Sequence, residues 1–223
     1  MENKTSKYFK YAIGEILLVV LGILIALQIN NWNEAQKTNR WEKRFLTDLR
    51  NELNTNFEQL TNVYNMQITK GNAAKKVLEL LEIAAEENKS FIDSAYALSQ
   101  KGNATFFPTT GVYDSGMSAG KIENIKNDNL KYAIMNLYNR YYNRLVYNGE
   151  VLDGVVGKVD WENKIYFNES TGKLRSWEAI QEFNFSAQLR YLINQNNVYT
   201  VIADNNLLQT ENVINLIDKE LSK

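Results

Sequence analysis

The first 32 residues contain one uninterrupted apolar run. No polar side chain occurs between Ile16 and Leu27, and the apolar segment around them extends to about 18 residues. At 1.5 Å per residue a helix of that length spans roughly the 30 Å hydrocarbon layer of a bilayer. The pattern therefore predicts a transmembrane helix over residues 11–32, with the lipid bilayer as its first partner.

Two other interpretations of this run are weaker. A cleaved signal peptide also has a basic start and a short apolar core, but small residues of the A-x-A type precede its cleavage site. Here the run ends in the polar and aromatic sequence 28–32, QINNW, where no such site occurs. A buried helix of a soluble domain is the third alternative. An uncleaved span is favoured over both.

Basic residues flank the run on both sides. Lys4, Lys7 and Lys10 precede it, whereas the far flank mixes basic and acidic residues. A short basic tail normally stays in the cytoplasm. We therefore expect residues 1–10 to form a cytoplasmic tail and residues 33–223 to lie across the membrane as an exported domain.

Beyond the span, the spacing of apolar residues predicts helices. Neither glycine nor proline occurs from residue 23 to residue 70, and apolar residues recur every three or four positions, which is a helical period. We expect the span to continue into a stalk helix over 33–70, with polar residues such as Lys43, Asp48 and Glu58 opposite its stripe. The stripe itself consists of Trp41, Phe45, Leu49, Leu53, Phe57, Leu60 and Tyr64.

Glycines divide the remaining chain. Gly71 predicts a bend before a second helix over 72–87. The region 101–128 holds four glycines and the single proline, and it predicts loops with short helices, one of them capped by Thr109 or Thr110. The fold class expected is all-α, an antiparallel helical bundle. Its further helices are expected at 90–100, from Asn127 or Asp128 to about 145, after a cap at Ser176, and over 186–221. The glycine-containing stretch 148–158 and the stretch 161–167 are left open. A turn that includes Gly172 is expected at 168–173.

The N-terminal segment also resembles a known family. Lys7 to Glu34, KYFKYAIGEILLVVLGILIALQINNWNE, is similar to the N-terminal signature of an uncharacterised family of Bacteroidota membrane proteins. A weaker resemblance continues from Ser118 to Tyr142, where a Ser-x-Gly-Lys segment precedes a tyrosine-rich helix. The resemblance implies a bacterial inner-membrane anchor with a mainly helical periplasmic part, and it implies no activity.

Composition removes several kinds of function. The chain has 25 basic and 26 acidic residues and a net charge of −1, without the basic excess typical of nucleic-acid binding. It has no cysteine and no histidine, so disulfides, thiol nucleophiles, a Ser-His-Asp triad and the usual zinc ligands cannot form. We expect no catalytic residue, no cofactor and no metal.

Two glycine-rich stretches resemble a phosphate-binding loop only faintly. Gly111 and Gly116 have the required spacing, but Met117 stands where lysine is needed. Gly116 and Gly120 precede Lys121, but only three residues separate these glycines and Ile122 follows the lysine. We interpret the segment as a helix-loop-helix corner, with a docking edge at Tyr113, Gly116, Gly120 and Lys121 as the alternative.

Two further groups suggest an interface. Tyr138 and Tyr142, like Arg140 and Arg144, lie four residues apart on a predicted helix, and tyrosine and arginine are frequent interface anchors. Over such an interface we favour the interpretation that the tyrosines pack with their hydroxyls at the rim while the arginines are solvated. In the span, Gly22 and Ala26 form a small-residue face, with Glu15 on roughly the same face. We expect Glu15 at the inner headgroup level near Lys10, and pairing with a partner's span is the alternative.

An enzyme is the weakest hypothesis. The tryptophans and carboxylates Trp161, Glu162, Glu169, Trp177, Glu178 and Glu182 are of the types found in glycan sites, where two carboxylates lie about 5–10 Å apart. We favour instead a non-enzymatic interaction or scaffold protein that binds a membrane protein or a second copy of itself. A ligand-sensing helical domain that signals through a partner is the alternative. A buried pocket with converging polar groups would favour the sensor, and a continuous dry core with an exposed apolar strip would favour the scaffold.

Overall fold

A computed structural model describes residues 3–83, 86–100, 102–168, 170–171, 173–181 and 183–223. The chain divides into two units, residues 1–47 and residues 48–223. The described residues form helices, together with one isolated bridge between Phe167 and Leu174. The all-α prediction is confirmed.

The first unit consists of the N-terminal part of helix α1 (Asn3–Ile83). Its large apolar side chains from Ile13 to Trp32 are 46–72% exposed. A core helix of a soluble domain would have these side chains covered, whereas lipid would cover them in a span. Among the described residues, this is the one helix long and apolar enough to cross a membrane.

Helix α1 continues without a break through Gly71, so the predicted bend and the separate second helix are wrong. Gly71 is buried, and a methyl group at this position would lie 2.4 Å from Oδ1 of Asn196. The glycine thus permits close approach of a neighbouring helix. A helix tolerates a single glycine at a cost of about 1 kcal/mol, which packing in the interior offsets.

The second unit contains the remaining helices. A short 3₁₀ turn, Glu86–Asn88, precedes α2 (Lys89–Gln100), and a non-helical segment leads to α3 (Gly111–Ser118). A second 3₁₀ turn, Ile122–Asn124, precedes α4 (Asp128–Asn136), a π-helical turn (Leu137–Tyr142) and α5 (Asn143–Asn163). The chain ends with α6 (Trp177–Ile180) and α7 (Phe183–Leu221).

Side-chain pairs define how the long helices of this unit are arranged. Arg50 pairs with Asp218 and Glu82 pairs with Arg190, at 2.5 and 3.1 Å. Since the residue numbers rise on one helix as they fall on the other, the part of α1 in this unit runs antiparallel to α7. Residues 48–70 of the predicted stalk 33–70 lie within this unit, and the stripe residues Leu49, Leu53 and Leu60 are fully buried there.

Local signals predicted several boundaries correctly. Asn127 caps α4 by accepting a hydrogen bond from the backbone N–H of Leu130, and Ser176 caps α6 in the same way through Ala179. The helix predicted from residue 186 begins slightly earlier, at Phe183. The stretch 148–158, left open by its glycines, is helical throughout as part of α5.

Candidate functional site

The segment 102–113, which we call the strap, is non-helical up to residue 110 and includes the first turn of α3. Its backbone is held by side chains of the helices around it rather than by a sheet. Each buried backbone group must find a hydrogen-bond partner, and here polar residues on the inner face of α1 provide several. These residues are Glu52, Asn56, Gln67 and Lys70, all at most 7% exposed.

Glu52 holds the end of the strap where α3 begins. Its carboxylate accepts hydrogen bonds from the backbone N–H groups of Val112 at 2.7 Å and Tyr113 at 3.4 Å. The first N–H groups of a helix have no acceptor within the helix, and a carboxylate is favoured at this positive end. Thr110 directly precedes the helix, as predicted, but its hydroxyl donates to Asp114 and the capping acceptor is Glu52.

Glu52 also accepts a hydrogen bond from the hydroxyl of Tyr138, at 2.7 Å. Tyr138 lies in the π-helical turn, and its ring stacks on that of Tyr113 with centroids 4.1 Å apart. Burial, together with the hydrogen bond and charge of Glu52, raises the pKa of Tyr138 far above its usual range. The phenol therefore stays protonated and remains a donor to the carboxylate.

Asn56 holds the middle of the strap. Its side-chain amide donates to the carbonyl oxygen of Thr109 and accepts from the N–H of the same residue, both at 2.8 Å. Nearby, the hydroxyl of Tyr199 on α7 accepts from the N–H of Phe106 at 2.9 Å. Burial raises the pKa of Tyr199 to about 12.

Lys70 and Gln67 hold the start of the strap. The ammonium group of Lys70 donates to the carbonyl oxygen of Gly102 at 2.6 Å and to Oδ1 of Asn103 at 3.0 Å. The amide of Gln67 donates to Ala104 at 2.7 Å and accepts from Asn196 of α7 at 2.8 Å. Burial lowers the pKa of Lys70, although nearby carboxylates on α5 oppose the shift.

Helix α5 contacts the other side of the strap. Asp153 accepts hydrogen bonds from the side chains of Asn103 and Thr105, the latter at 2.9 Å. Gly149 is buried, and a methyl group there would lie 3.0 Å from the Cβ atom of Thr105. The strap therefore passes close to the backbone of α5.

The space around Lys70 is limited. An internal cavity lined by Gln67, Lys70, Ser99 and Asn196, among others, has a volume of about 10 Å³, which is room for about one water molecule. An open groove of about 530 Å³ lies outside the strap, lined by residues including Met66, Lys70 and Leu98. Among the described residues, no group of three His, Cys, Asp or Glu side chains could hold a metal ion.

The structure divides the predicted interface residues into two sets. Arg140, Arg144, Gly120 and Lys121 are exposed, and Gly120 has a positive φ of 62°. The predicted docking residues Tyr113, Gly116, Tyr138 and Tyr142 are buried instead.

The tyrosines of the tandem are thus core residues. Their hydroxyls were expected at the rim, but Tyr138 bonds Glu52 and Tyr142 lies 3.1 Å from the hydroxyl of Thr210. The π-helical turn, in which hydrogen bonds span five residues, turns both side chains inward. No local pattern in the sequence predicted this turn.

The remaining predicted residues do not converge. Glu15, Gly22 and Ala26 are exposed on the helix of the first unit. Glu162 accepts from Gln188 and Glu178 accepts from Ser176, each at 2.7 Å. Trp161 is 72% exposed and Trp177 packs at the edge of an aromatic core cluster. Glu169, Gly172 and Glu182 lie outside the described residues.

A second notable surface, absent from the sequence predictions, is the outward face of α7. It exposes the large apolar side chains of Tyr191, Val198, Val201 and Leu208, by 51, 42, 70 and 54% respectively. Only two charged residues, Asp204 and Glu211, occur from residue 191 to residue 217. The sequence signal was a second series of outward positions on this helix that mixes apolar residues with asparagine.

Comparison with known proteins identifies a family. No curated protein sequence and no solved structure matches the chain. Residues 15–197 match a family of unknown function, a range that includes most of the apolar run, the strap and the first 15 residues of α7. The chain therefore belongs to the family of unknown function designated DUF6090.

Proposed function

We propose that this chain is a single-span membrane protein whose helical unit, an antiparallel helical bundle, is a non-enzymatic interaction module. The outward face of α7 serves as its docking surface. The observation that carries the proposal is the exposure of Tyr191, Val198, Val201 and Leu208 on one side of a charge-poor helix. A row of exposed apolar side chains along one face of a helix is a candidate interaction site.

The polar interior supports a structural role for the strap network. Glu52, Asn56, Gln67 and Lys70 each use their polar atoms to hold backbone or side-chain groups of the strap. The adjoining internal cavity is too small for a substrate. These groups act to fix the fold, which presents α7 as a rigid surface.

The membrane topology is part of the proposal. Residues 11–32 cross a bacterial inner membrane, residues 1–10 remain in the cytoplasm, and the helical unit lies in the periplasm. A chain carrying Asn62→Cys, at an exposed position of α1 outside the proposed docking surface, has a single thiol, because the natural sequence has no cysteine. A membrane-impermeant maleimide applied to intact spheroplasts should label this thiol. Labelling only after lysis would reverse the topology.

Photo-crosslinking tests the docking surface. A benzophenone maleimide is attached to Val201→Cys in the full chain in native membranes, and to Asn62→Cys as the matched control. Asn62 is exposed on the outer face of α1, where residues 48–82 show a single exposed large apolar side chain, Ile68. We expect discrete protein adducts from position 201 and none from position 62. Equal adducts from both positions, or none from either, would contradict the proposal.

A ligand-sensing role is the second candidate, and the groove beside Lys70 is the observation that favours it. The groove has a volume within the range of small-molecule sites, and an occupant would contact both Lys70 and the strap residue Asn103. Met66→Trp would fill the groove without touching α7. A small molecule that raises the melting temperature of the natural chain but not of this variant would support sensing.

A further inference from the structure

We infer that the outward face of α7 is a two-fold interface with a second copy of this chain, packed in parallel. The inference rests on the proposed interaction role and specifies the partner. It follows from the spacing of the exposed residues, from the amides between them and from the charges beside them.

The exposed positions of α7 follow a seven-residue repeat. Tyr191, Val198, Asn205 and Asn212 are seven residues apart, and Asn194, Val201, Leu208 and Asn215 form a second series three positions later. All eight side chains are exposed, whereas the opposite side of the helix is buried in its own unit. Two series offset in this way form the contact seam of a coiled coil. Helix α7 therefore has one face buried in its own unit and a second, exposed face with the spacing of a coiled-coil seam.

The asparagines in the seam favour a parallel, in-register partner. In a parallel two-fold pair each residue of the first series faces its own counterpart, so Asn205 meets Asn205 and Asn212 meets Asn212. Paired amides hydrogen-bond each other, whereas an amide opposite an apolar residue leaves its polar groups unsatisfied. A second copy of this chain places an asparagine opposite each asparagine by symmetry, so the amides are paired at each position.

The flanking residues bring no like charges together. On one side of the seam lie Arg190, Asn197, Asp204 and Glu211, and a parallel pair sets them opposite positions Gln195, Ile202, Gln209 and Leu216 of the second copy, of which Ile202 is buried in its own unit. None of these four pairs joins two like charges. A partner of strong net charge would gain nothing from such a face, whereas a copy with the same neutral seam fits it.

Membrane anchoring explains why so polar a seam can suffice. Half of its eight positions are asparagine, which lowers the stability of a pair formed in solution. The span of the first unit restricts two copies to one plane and raises their effective concentration. The seam then has to supply specificity and only modest affinity.

Thiol-specific crosslinking of the full chain in phospholipid vesicles tests the inference. Val201→Cys, Leu208→Cys and Asn62→Cys are each treated with a short bis-maleimide. We expect a product of about twice the chain mass of 25.8 kDa at positions 201 and 208, in about tenfold higher yield than at position 62. Adding Val201→Asp to the Leu208→Cys chain should lower the dimer yield about tenfold, and adding Asn62→Asp should not.

Register and partner identity are tested separately. Tagged Tyr191→Cys mixed with untagged Leu208→Cys should give no mixed dimer, because a parallel pair holds these positions apart. A mixed dimer would overturn the parallel arrangement. Photo-adducts from position 201 in native membranes, combined with no dimer in vesicles, would overturn the second copy as partner while the proposed interaction role stands. Equal dimer yields at positions 201 and 62 would also overturn the inference.

Discussion

Two helices of the same unit break the simple amphipathic rule in opposite ways. On residues 48–83 of α1, polar side chains such as Asn56 and Lys70 lie inside. On α7, apolar side chains such as Val201 lie outside. Both kinds of side chain need a contact that the helix itself does not supply. The buried polar residues of α1 hydrogen-bond to the strap of the same chain, and we propose that the exposed apolar residues of α7 pack against another chain. The following substitutions test this contrast, from the largest expected effect to the smallest.

The largest effect is expected from Glu52→Leu. The substitution leaves the hydroxyl of Tyr138 and the N–H groups of Val112 and Tyr113 buried without their acceptor. We expect the free energy of unfolding to fall by about 3–4 kcal/mol, measured by urea denaturation of the full chain in detergent. Glu58→Leu, at an exposed position of the same helix, is the control and should change it by less than about 0.5 kcal/mol. Equal effects would mean that Glu52 does not hold the strap.

Lys70→Met is expected to have an intermediate effect. Methionine keeps the length of the side chain but cannot donate to Gly102 or Asn103. A loss of about 2 kcal/mol is expected, since the carbonyl oxygen of Gly102 and Oδ1 of Asn103 both lose a charged donor. Lys75→Met serves as the exposed control. Hydrogen exchange should also quicken in the strap residues of the Lys70 variant, and unchanged exchange would count against the assignment.

The buried tyrosines predict that the folded chain loses stability at high pH. The pKa of Tyr138 is raised above the ordinary value of 10.0 only in the folded state, so above pH 10 the unfolded chain loses a proton that the folded chain keeps. Stability is therefore full below pH 10 and falls above it, by up to about 1.4 kcal/mol per pH unit for each such tyrosine. Tyr138→Phe should reduce the slope by about that amount. The exposed Tyr132→Phe should leave it unchanged, and an unaltered slope in Tyr138→Phe would refute the burial argument.

The smallest effect on folding is expected on α7. Val201→Asp removes a side chain that is 70% exposed, so the free energy of unfolding of the monomeric chain in detergent should change by less than about 0.5 kcal/mol. If the variant instead unfolded like Glu52→Leu, Val201 would belong to the interior. The outward face would then need no partner, and the contrast between the two helices would disappear.

The sequence predicted what depends on near neighbours. Helical periodicity identified Leu49, Leu53 and Leu60 as core residues, and single side chains identified the caps at Asn127 and Ser176. These signals act within one or two turns of a helix, so a single sequence contains them.

The strap network could not be predicted in the same way. Glu52 meets Tyr138 across 86 positions, and Gln67 meets Asn196 across 129. Nothing local distinguishes these polar residues from solvated ones such as Glu58. The bend predicted at Gly71 was wrong for the same reason. The role of this glycine depends on its contact with Asn196, which lies on a helix more than a hundred residues away.

The start of α3 has a consequence for ligands. The N-terminus of a helix is a ready site for phosphate, and here the spacing of Gly111 and Gly116 is that of a phosphate loop. The carboxylate of Glu52 already occupies the N–H groups of Val112 and Tyr113. The protein supplies its own anion, so a nucleotide phosphate would have to displace a covalently tethered competitor from this helix end.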